Sequence, residues 1–409
     1  MRPRRLTNLT DFLRLNVSWL FAGFLLTFAS SFGQTFFIAI FAGDIRQEFG
    51  LSNGAWGGVY ALATMASAAV MVFAGGVTDR FRVRLIGPVI LVGLAIAAML
   101  MSFATGVVVL TVAIFLLRLM GQGMMGQTAM VAMSRWFVAT RGRAISIAGL
   151  GVALGEAMLP LAFVALMGWI DWRTLWLVVS AFLVIAAVAM VLILKAERTP
   201  QAMARENMSV GMSGRQWTRV QALRHWLFWL TLPAMLGPAA WNTAFFFHQV
   251  HFAEAKGWAH FDLVTLFPIY TVTGVGSMLL TGWMVDRFGS AKIAGIYLFP
   301  IAIGYLLLGF AQGLGMAAIG MVFMGLSVGA HMTMSAALWA EFYGTANLGR
   351  IRAMAGALGV LGTAIGPGIC GWLIDLGIDL PQQTVGISIY FVVAAVLAAI
   401  GGRRAARFL

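Results

Sequence analysis

The chain has 409 residues, of which 61% are hydrophobic and 10% are charged, and its mean hydropathy is +0.91. An ordinary soluble domain is about half apolar and roughly a quarter charged, so this composition excludes a soluble globular protein and a disordered one. At roughly 20 apolar residues per span, the length fits about a dozen membrane crossings.

Twelve apolar runs along the chain are long enough to cross a bilayer. They do not alternate apolar and polar residues as the strands of a membrane barrel do, and a helix satisfies its backbone hydrogen bonds within one segment. The sequence therefore predicts an all-α polytopic membrane protein with twelve transmembrane helices. The predicted spans are 17–42, 54–77, 85–104, 107–134, 144–169, 172–195, 226–252, 262–285, 292–311, 314–339, 353–376 and 385–402.

The positively charged residues indicate the orientation of these spans. The net charge is +13, and the 27 Lys and Arg residues fall almost entirely into alternate loops. With the N-terminus inside, three lie in outer loops (Arg46, Arg173 and Lys256) and one lies within a span (Arg118). Because cytoplasmic segments are enriched in Lys and Arg, we expect a bacterial inner-membrane protein with both termini in the cytoplasm. The charge is therefore an orientation signal, and no nucleic-acid partner is expected.

A polar segment over residues 195–224 separates spans six and seven and predicts a cytoplasmic linker. It divides an N-terminal half (1–194) from a C-terminal half (225–409). The motif GGVTDRF at 75–81 returns as GWMVDRF at 282–288, an offset of 207, and Gln34 and Asn242 open similar aromatic runs at an offset of 208. This repetition predicts two pseudosymmetric six-helix halves.

The two loop motifs, GGVTDRFRVR and GWMVDRFGSAK, resemble the signature G-x-x-x-D-R-x-G-x-[KR] of the major facilitator superfamily. The glycine pattern of span five (151–156) and of span eleven (362–368) is similar to the family's G-x-x-x-G-P packing motif. The tail AEFYGTANLGRIRAMAGALG is similar to the monocarboxylate and oxalate:formate antiporter branch. The resemblance implies a secondary transporter that works by alternating access, with an inner conformational latch made of Asp79, Arg80, Arg84, Asp286 and Arg287.

Two ionisable residues, Arg118 and Glu156, are predicted close to the bilayer midplane, since each lies about a dozen residues into its span at 1.5 Å per residue. A charge at that depth costs at least ~2.5 kcal/mol, and such residues are functional candidates. Arg118 either binds substrate or a coupling ion, or is structural and pairs with Glu156 or with carbonyl groups. Glu156 either carries a proton or forms that pair.

Uncharged polar residues add a predicted lining to a central cavity, namely Gln34, Gln122, Asn242 and His331. His248 and His251 are expected at the membrane interface. The sequence carries no nucleotide-binding loop, protease motif or paired cysteines, so we expect no metal, no cofactor and no enzymatic activity.

These observations favour a transporter of a small organic anion, such as a carboxylate, coupled to protons or to a counter-transported ion. The expected partners are the small-molecule substrate and the lipid bilayer, and a monomer is expected. One alternative is an exporter of amphipathic or aromatic compounds, with Arg118 and Glu156 merely paired. The other is a membrane sensor that transports nothing.

Overall fold

The computed structural model describes residues 9–74, 81–137, 140–196, 210–344 and 347–408, and the secondary-structure elements in these ranges are all helical. The α-helices are α1 (Leu9–Ser30), α2 (Thr35–Ile38), α3 (Ala42–Phe49), α4 (Asn53–Ala74), α5 (Val83–Ser102), α6 (Val107–Leu117), α7 (Gly126–Trp136), α8 (Arg141–Leu166), α9 (Trp172–Ile193), α10 (Arg219–Arg224), α11 (Trp226–Gly237), α12 (Thr243–Phe247), α13 (Gln249–Lys256), α14 (His260–Val264), α15 (Phe267–Phe288), α16 (Ser290–Ile293), α17 (Phe299–Phe310), α18 (Leu314–Tyr343), α19 (Leu348–Asp375) and α20 (Leu380–Ala405). Short 3₁₀ turns cover Ser31–Gly33, Ala39–Phe41, Leu194–Ala196, Met212–Gly214 and Ala406–Phe408, and π-helical segments cover Arg118–Met125 and Pro238–Asn242.

Ten helical stretches in the described part of the chain are long and apolar enough to cross a membrane, which confirms the predicted all-α polytopic class. The other two predicted spans are interrupted. The run over 226–252 consists of α11, a π-helical segment, α12 and α13, with a break at His248 (φ −98°, ψ 24°). The run over 292–311 contains the 12-residue helix α17, which follows a turn.

The first span also departs from the prediction of one continuous helix over 17–42. Helix α1 ends at Ser30, a 3₁₀ turn follows, and Gln34 is extended (φ −85°, ψ 154°) before α2 begins. Non-helical backbone at membrane depth is tolerated where protein buries it, and residues 31–33 are buried. Apolar composition alone therefore predicted the span but not its break.

A polar side chain just outside the apolar run caps the start of one span. At the start of α9, the Asp171 carboxylate accepts hydrogen bonds from the backbone N–H groups of Arg173 (3.1 Å) and Thr174 (3.0 Å). The hydroxyl of Thr174 also donates to this carboxylate, and together these bonds lower the pKa of Asp171. Such an N-cap satisfies backbone donors that have no partner within the helix.

The chain forms two compact units, and neither coincides with one half of the sequence. The first contains residues 1–34, 66–155 and 169–206. Within it, α5 packs along α9, where the Ser180 hydroxyl donates to the carbonyl of Ala95 (2.9 Å). Helix α1 meets α8 through a hydrogen bond from the Thr27 hydroxyl to the Ala148 carbonyl.

The second unit contains residues 35–65, 156–168 and 207–409. Within it, α15 and α17 each pack against α18, while α20 packs against α11 and α17. Side-chain hydroxyls again bond carbonyls of neighbouring helices, as Ser388 does to Ala302 (2.8 Å). Segments of the first, second and fifth predicted spans thus pack with the C-terminal half of the sequence.

A close helix contact in the first unit yields a matched test of packing. A Cβ atom on Gly151 would collide with Phe24 and Thr27 of α1 and lie 2.8 Å from the amide nitrogen of Phe28, whereas a Cβ on Gly149 would meet nothing within 4 Å. We expect Gly151→Ala to destabilise the protein by about 1–3 kcal/mol, as overpacking does, and to lower its melting temperature in detergent. The Gly149→Ala variant should have the same melting temperature as the wild-type protein or a higher one, because alanine favours helix. Equal melting temperatures for the two variants would contradict the packing described.

Candidate functional site

The first unit buries a guanidinium group inside a membrane-spanning helix. Arg118 opens the π-helical segment that joins α6 to α7, and 1% of its surface is exposed. Its Nη1 donates a hydrogen bond to the backbone carbonyl of Gly33 (3.2 Å). Segments of π-helix inside α-helices are frequent at functional sites.

The acceptor carbonyl is available because α1 has ended three residues earlier. Within the broken segment, Gly33 approaches Gly121 so closely that a Cβ on Gly121 would lie 2.7 Å from the Gly33 Cα. Two glycines are therefore needed for the backbones to meet at this depth. The predicted site residues Gln34 and Gln122 are next in sequence to these glycines and are both half-buried. The structure thus places Arg118, Gln34 and Gln122 around one interruption of the first span.

The second unit contains the carboxyl group of Glu156, which is half-buried. The Thr271 hydroxyl donates to its Oε2 (3.2 Å). The preceding residue, Tyr270, is buried, and its hydroxyl accepts a hydrogen bond from Nδ2 of Asn242 (2.7 Å). The Oδ1 atom of Asn242 is buried and has no hydrogen-bond partner among the described residues. Thr271 and Tyr270, which are adjacent in α15, thus bond the predicted site residues Glu156 and Asn242, respectively.

His331 has different neighbours from this group. Its ring stacks on Tyr297, with centroids 6.1 Å apart and planes 23° from parallel. Its Nδ1 atom is buried without a hydrogen-bond partner in the described ranges. The hydroxyl of Tyr297 donates to the carbonyl of Ala234 (3.0 Å). The structure therefore gives His331 an aromatic contact rather than a bond to Glu156 or Asn242.

The predicted inner latch is only partly described, since Asp79 and Arg80 lie outside the described residues. Arg84 is exposed and donates to the carbonyl of Lys195 (3.3 Å). Asp286 is exposed and makes no hydrogen bond or ion pair with described residues of its own unit. Arg287 lies over the ring of Trp283 at 5.5 Å. The latch stays a prediction.

A carboxylate that the sequence did not single out binds the turn after Asp286. The backbone N–H of Ser290 donates to Oε2 of Glu341 (2.8 Å), directly after Gly289, whose φ of +80° favours glycine. Glu341 lies near the C-terminal end of α18, 51 residues further along the chain. Only the folded structure brings this acid to the loop.

A further polar group in the second unit joins α4 and α19. The carboxylate of Asp375 accepts hydrogen bonds from the Ser52 hydroxyl (2.6 Å) and from the backbone N–H of Gly54 (2.9 Å). It therefore caps the first turn of α4, where negative charge is favourable. Close by, Trp56 stacks on Phe247 with centroids 5.3 Å apart.

The sequence predicts His248 and His251 at the membrane interface, and the structure buries the first of them within the protein. His248 is 2% exposed, and its Nε2 atom bonds the carbonyl of Pro367 (2.8 Å). His251 lies 3.2 Å from the carboxylate of Asp379, which is exposed. Among the described residues, no group of three His, Cys, Asp or Glu side chains could hold a metal ion.

We expect the protein to be less stable when the Asp375 carboxylate is replaced by a neutral side chain. Asp375→Asn removes a charged cap, so we expect the free energy of unfolding to fall by about 1 kcal/mol, the usual scale for a capping side chain. Asp286→Asn is the matched control, because that carboxylate is exposed and lacks a described partner in its unit. Thermal unfolding in detergent measures both variants. A melting temperature for Asp375→Asn equal to that of the control would show that the cap contributes nothing.

Curated relatives match only part of this chain. A probable sulfoacetate transporter, SauU, from Cupriavidus necator is 30% identical over 154 residues, 37% of this chain and 34% of that protein. A multidrug resistance protein B homolog from Mycobacterium tuberculosis is 34% identical over 140 residues, 32% of this chain and 25% of that protein. The chain thus spans about a third and a quarter of these relatives.

Solved structures share the fold over nearly the whole chain. A bacterial homolog of the human lysosomal transporter Spinster, in an inward-facing and unoccupied conformation, has a TM-score of 0.73 at 16% identity, covering 96% of this chain and 98% of that one. The nucleoside transporter NupG has a TM-score of 0.70 at 12% identity, covering 96% and 99%. The family model described as Major Facilitator Superfamily matches residues 23–367. This chain is an integral membrane protein that belongs to the Major Facilitator Superfamily.

Proposed function

We propose that the protein is a secondary active transporter that moves a small organic anion, a carboxylate or a sulfonate, by alternating access and with protons as the coupling ion. The observation that carries this proposal is the guanidinium of Arg118, buried in a spanning helix. Burying a charge at membrane depth costs at least ~2.5 kcal/mol, so a cation kept there calls for a function.

The chemistry of Arg118 favours an anion with two or more coplanar or clustered oxygens. A guanidinium presents its N–H donors as a rigid fork that matches carboxylate geometry, and it keeps its charge at all physiological pH values. Sulfoacetate, named in the Cupriavidus necator relative, carries both a carboxylate and a sulfonate. That likeness over part of the chain supports the choice of substrate class.

Glu156 supplies the proposed coupling site. It is a carboxyl group within a spanning helix, and its described side-chain partner is the hydroxyl of Thr271. A hydroxyl can donate to a carboxylate and accept from a carboxylic acid, so this contact suits both protonation states. Tyr270 and Asn242 extend the polar group to the seventh span, and we propose that Gln34, Gln122 and His331 line the substrate path.

The contacts of the second unit support alternating access. Residues 35–65 and 156–168 pack with the C-terminal half of the sequence, partly through Asp375 and α4. In our proposal these contacts lie on the outer side of the membrane. They close the transporter there and must break before the transporter opens outward. The pairs Asp79–Arg80 and Asp286–Arg287, with Arg84, would act as the inner latch.

The proposal also covers the domain organisation, the membrane orientation and the oligomeric state of the protein. Residues 195–224 connect halves 1–194 and 225–409, both termini lie in the cytoplasm, and the membrane is a bacterial inner membrane. The protein works as a monomeric carrier rather than as an enzyme. Its partners are the substrate, protons and the bilayer.

A second candidate function is export of amphipathic or aromatic compounds. Phe24, Phe28 and Phe32 follow one face of α1 and the adjoining turn, with successive ring centroids 6.3 Å apart, and Phe182 packs on the last two. Such an aromatic row suits an apolar ligand. The Mycobacterium tuberculosis relative, a multidrug resistance protein B homolog, gives this candidate its support.

Neutralising Arg118 tests the substrate class. In proteoliposomes we expect Arg118→Gln to reduce uptake of labelled sulfoacetate or of a small carboxylate by about 100-fold or more, since a charge-assisted contact is lost. Arg173→Gln is the matched control, because it also removes a guanidinium, one that donates to the backbone carbonyls of Ser102 and Ala104 (2.6 Å) at the end of a span. The control should keep most of the uptake at equal protein content. Undiminished anion uptake by Arg118→Gln would overturn the proposal.

Neutralising Glu156 tests the coupling. With the lumen less acidic than the medium, wild-type protein should accumulate the anion above equilibrium, whereas Glu156→Gln should lose this accumulation and retain exchange of labelled for unlabelled anion. Glu254→Gln, which changes an exposed carboxylate of α13, is the control. Accumulation by Glu156→Gln equal to that of the control would exclude Glu156 as the proton carrier.

A further inference from the structure

The end of the linker is fixed to the body of the second unit. We call residues 210–225 the strap. The backbone N–H of Trp217 donates to the carbonyl of Tyr343 (3.1 Å), and the Trp217 carbonyl accepts from Nδ2 of Asn347 (3.1 Å). The rings of Trp217 and Tyr343 are 5.5 Å apart. The strap is therefore a structured element held at the end of α18.

The strap also meets the C-terminal end of α20. The turn Met212–Gly214 packs against the turn Ala406–Phe408. At the start of α11, the guanidinium carbon of Arg404 lies 5.1 Å from the ring centroid of Trp226, a cation–π distance. The strap and the end of α20 thus form one continuous area of the second unit, which we call the basic surface.

The basic surface carries six exposed arginines, and its described residues include no Asp or Glu. Arg215, Arg219 and Arg224 come from the strap, while Arg403, Arg404 and Arg407 come from the end of α20. Neither residues 207–253 nor residues 380–409 contain an Asp or a Glu. The positive charge is therefore not offset by these segments' own side chains.

Apolar side chains stand beside these arginines. Val220, Trp229 and Phe408 are exposed over 54%, 57% and 52% of their surfaces. The Trp229 indole N–H donates to the carbonyl of Leu223 (2.8 Å), which fixes the ring next to the strap. Tryptophan at the end of a membrane span is typical of the headgroup level, where one side of the ring is apolar and the other polar.

This combination distinguishes a lipid from a soluble anion. A soluble phosphate would use the arginines alone, whereas a phospholipid presents an anionic headgroup and acyl chains to both parts of the surface. Basic residues beside the membrane attract anionic lipids by about 1 kcal/mol each, and clusters of four to eight are typical of such recognition. The strap leads into α11, the first helix of the seventh predicted span, and the rest of the basic surface is the end of the spanning helix α20.

We propose that the basic surface binds the headgroups of anionic phospholipids of the cytoplasmic leaflet, and that this binding stabilises the docked strap. The occupant is a membrane lipid with a phosphodiester and net negative charge, such as phosphatidylglycerol. The proposal does not depend on which substrate the transporter moves.

The test measures binding of dansyl-labelled phosphatidylglycerol to the full-length protein in mixed micelles, by energy transfer from tryptophan, and melting temperature in the same samples. We expect wild-type protein to bind this lipid and to melt at a higher temperature than with phosphatidylcholine. The triple variant Arg215→Gln, Arg219→Gln, Arg224→Gln should bind it more weakly, by roughly fivefold for each arginine removed, and lose the extra stabilisation.

The matched control removes three exposed arginines from the first unit, Arg14→Gln, Arg82→Gln, Arg143→Gln, for the same change in net charge. It should keep wild-type lipid binding. The proposal is overturned if both triple variants lose affinity equally, or if wild-type protein does not distinguish the two lipids. It is also overturned if soluble glycerol 1-phosphate reproduces the whole stabilisation, which would identify a free phosphate as the occupant.

Discussion

The first unit is organised around one contact, the hydrogen bond from the buried Arg118 guanidinium to the carbonyl of Gly33. A guanidinium can lie at this depth only where protein groups replace water around it. Carbonyls at the end of a helix lack partners within it, and α1 ends at Ser30, so the Gly33 carbonyl in the turn that follows can accept this bond. The glycine at 121 lets the two backbones come close enough, and Arg118 is the first residue of the π-helical segment that contains this glycine.

Polar contacts also accompany the helix breaks of the second unit. Its interrupted seventh span contains Asn242 in a π-helical segment and His248 at the next break, and both side chains bond other helices of the unit. Asp375 then caps α4. Irregular backbone in these spans thus coincides with polar contacts, which is expected where lipid cannot supply hydrogen bonds.

The apolar runs were sufficient to predict the helical membrane class, because they are long enough to cross a bilayer and do not alternate as barrel strands do. They could not show where the first, seventh and ninth predicted spans are interrupted, because a broken span and a straight one have the same hydropathy. Arg118 and Glu156 were identifiable as charges in apolar runs. Thr271 and Tyr270 were not, because a hydroxyl in a membrane helix carries no signal until its partner is known.

Other contacts could not be predicted because the two residues are far apart in the sequence. Asp375 lies 323 residues from Ser52, and Glu341 lies 51 residues from Ser290, so neither contact leaves a local pattern in the sequence. The repeated DRF motif directed attention to Asp286, whereas the acid that bonds the following turn is Glu341. A motif can locate a loop without identifying the side chain that holds it.

The most direct measurement for the proposed role of Arg118 is ligand-induced thermal stabilisation of the purified protein, because a ligand that binds only the folded state raises its stability. At a ligand concentration about 100 times the dissociation constant, the gain is about 2.7 kcal/mol. We predict that sulfoacetate or a small carboxylate stabilises the wild-type protein and that Arg118→Gln removes this effect. Stabilisation by lipophilic cations alone, equal in both proteins, would contradict the account and favour export of amphipathic compounds.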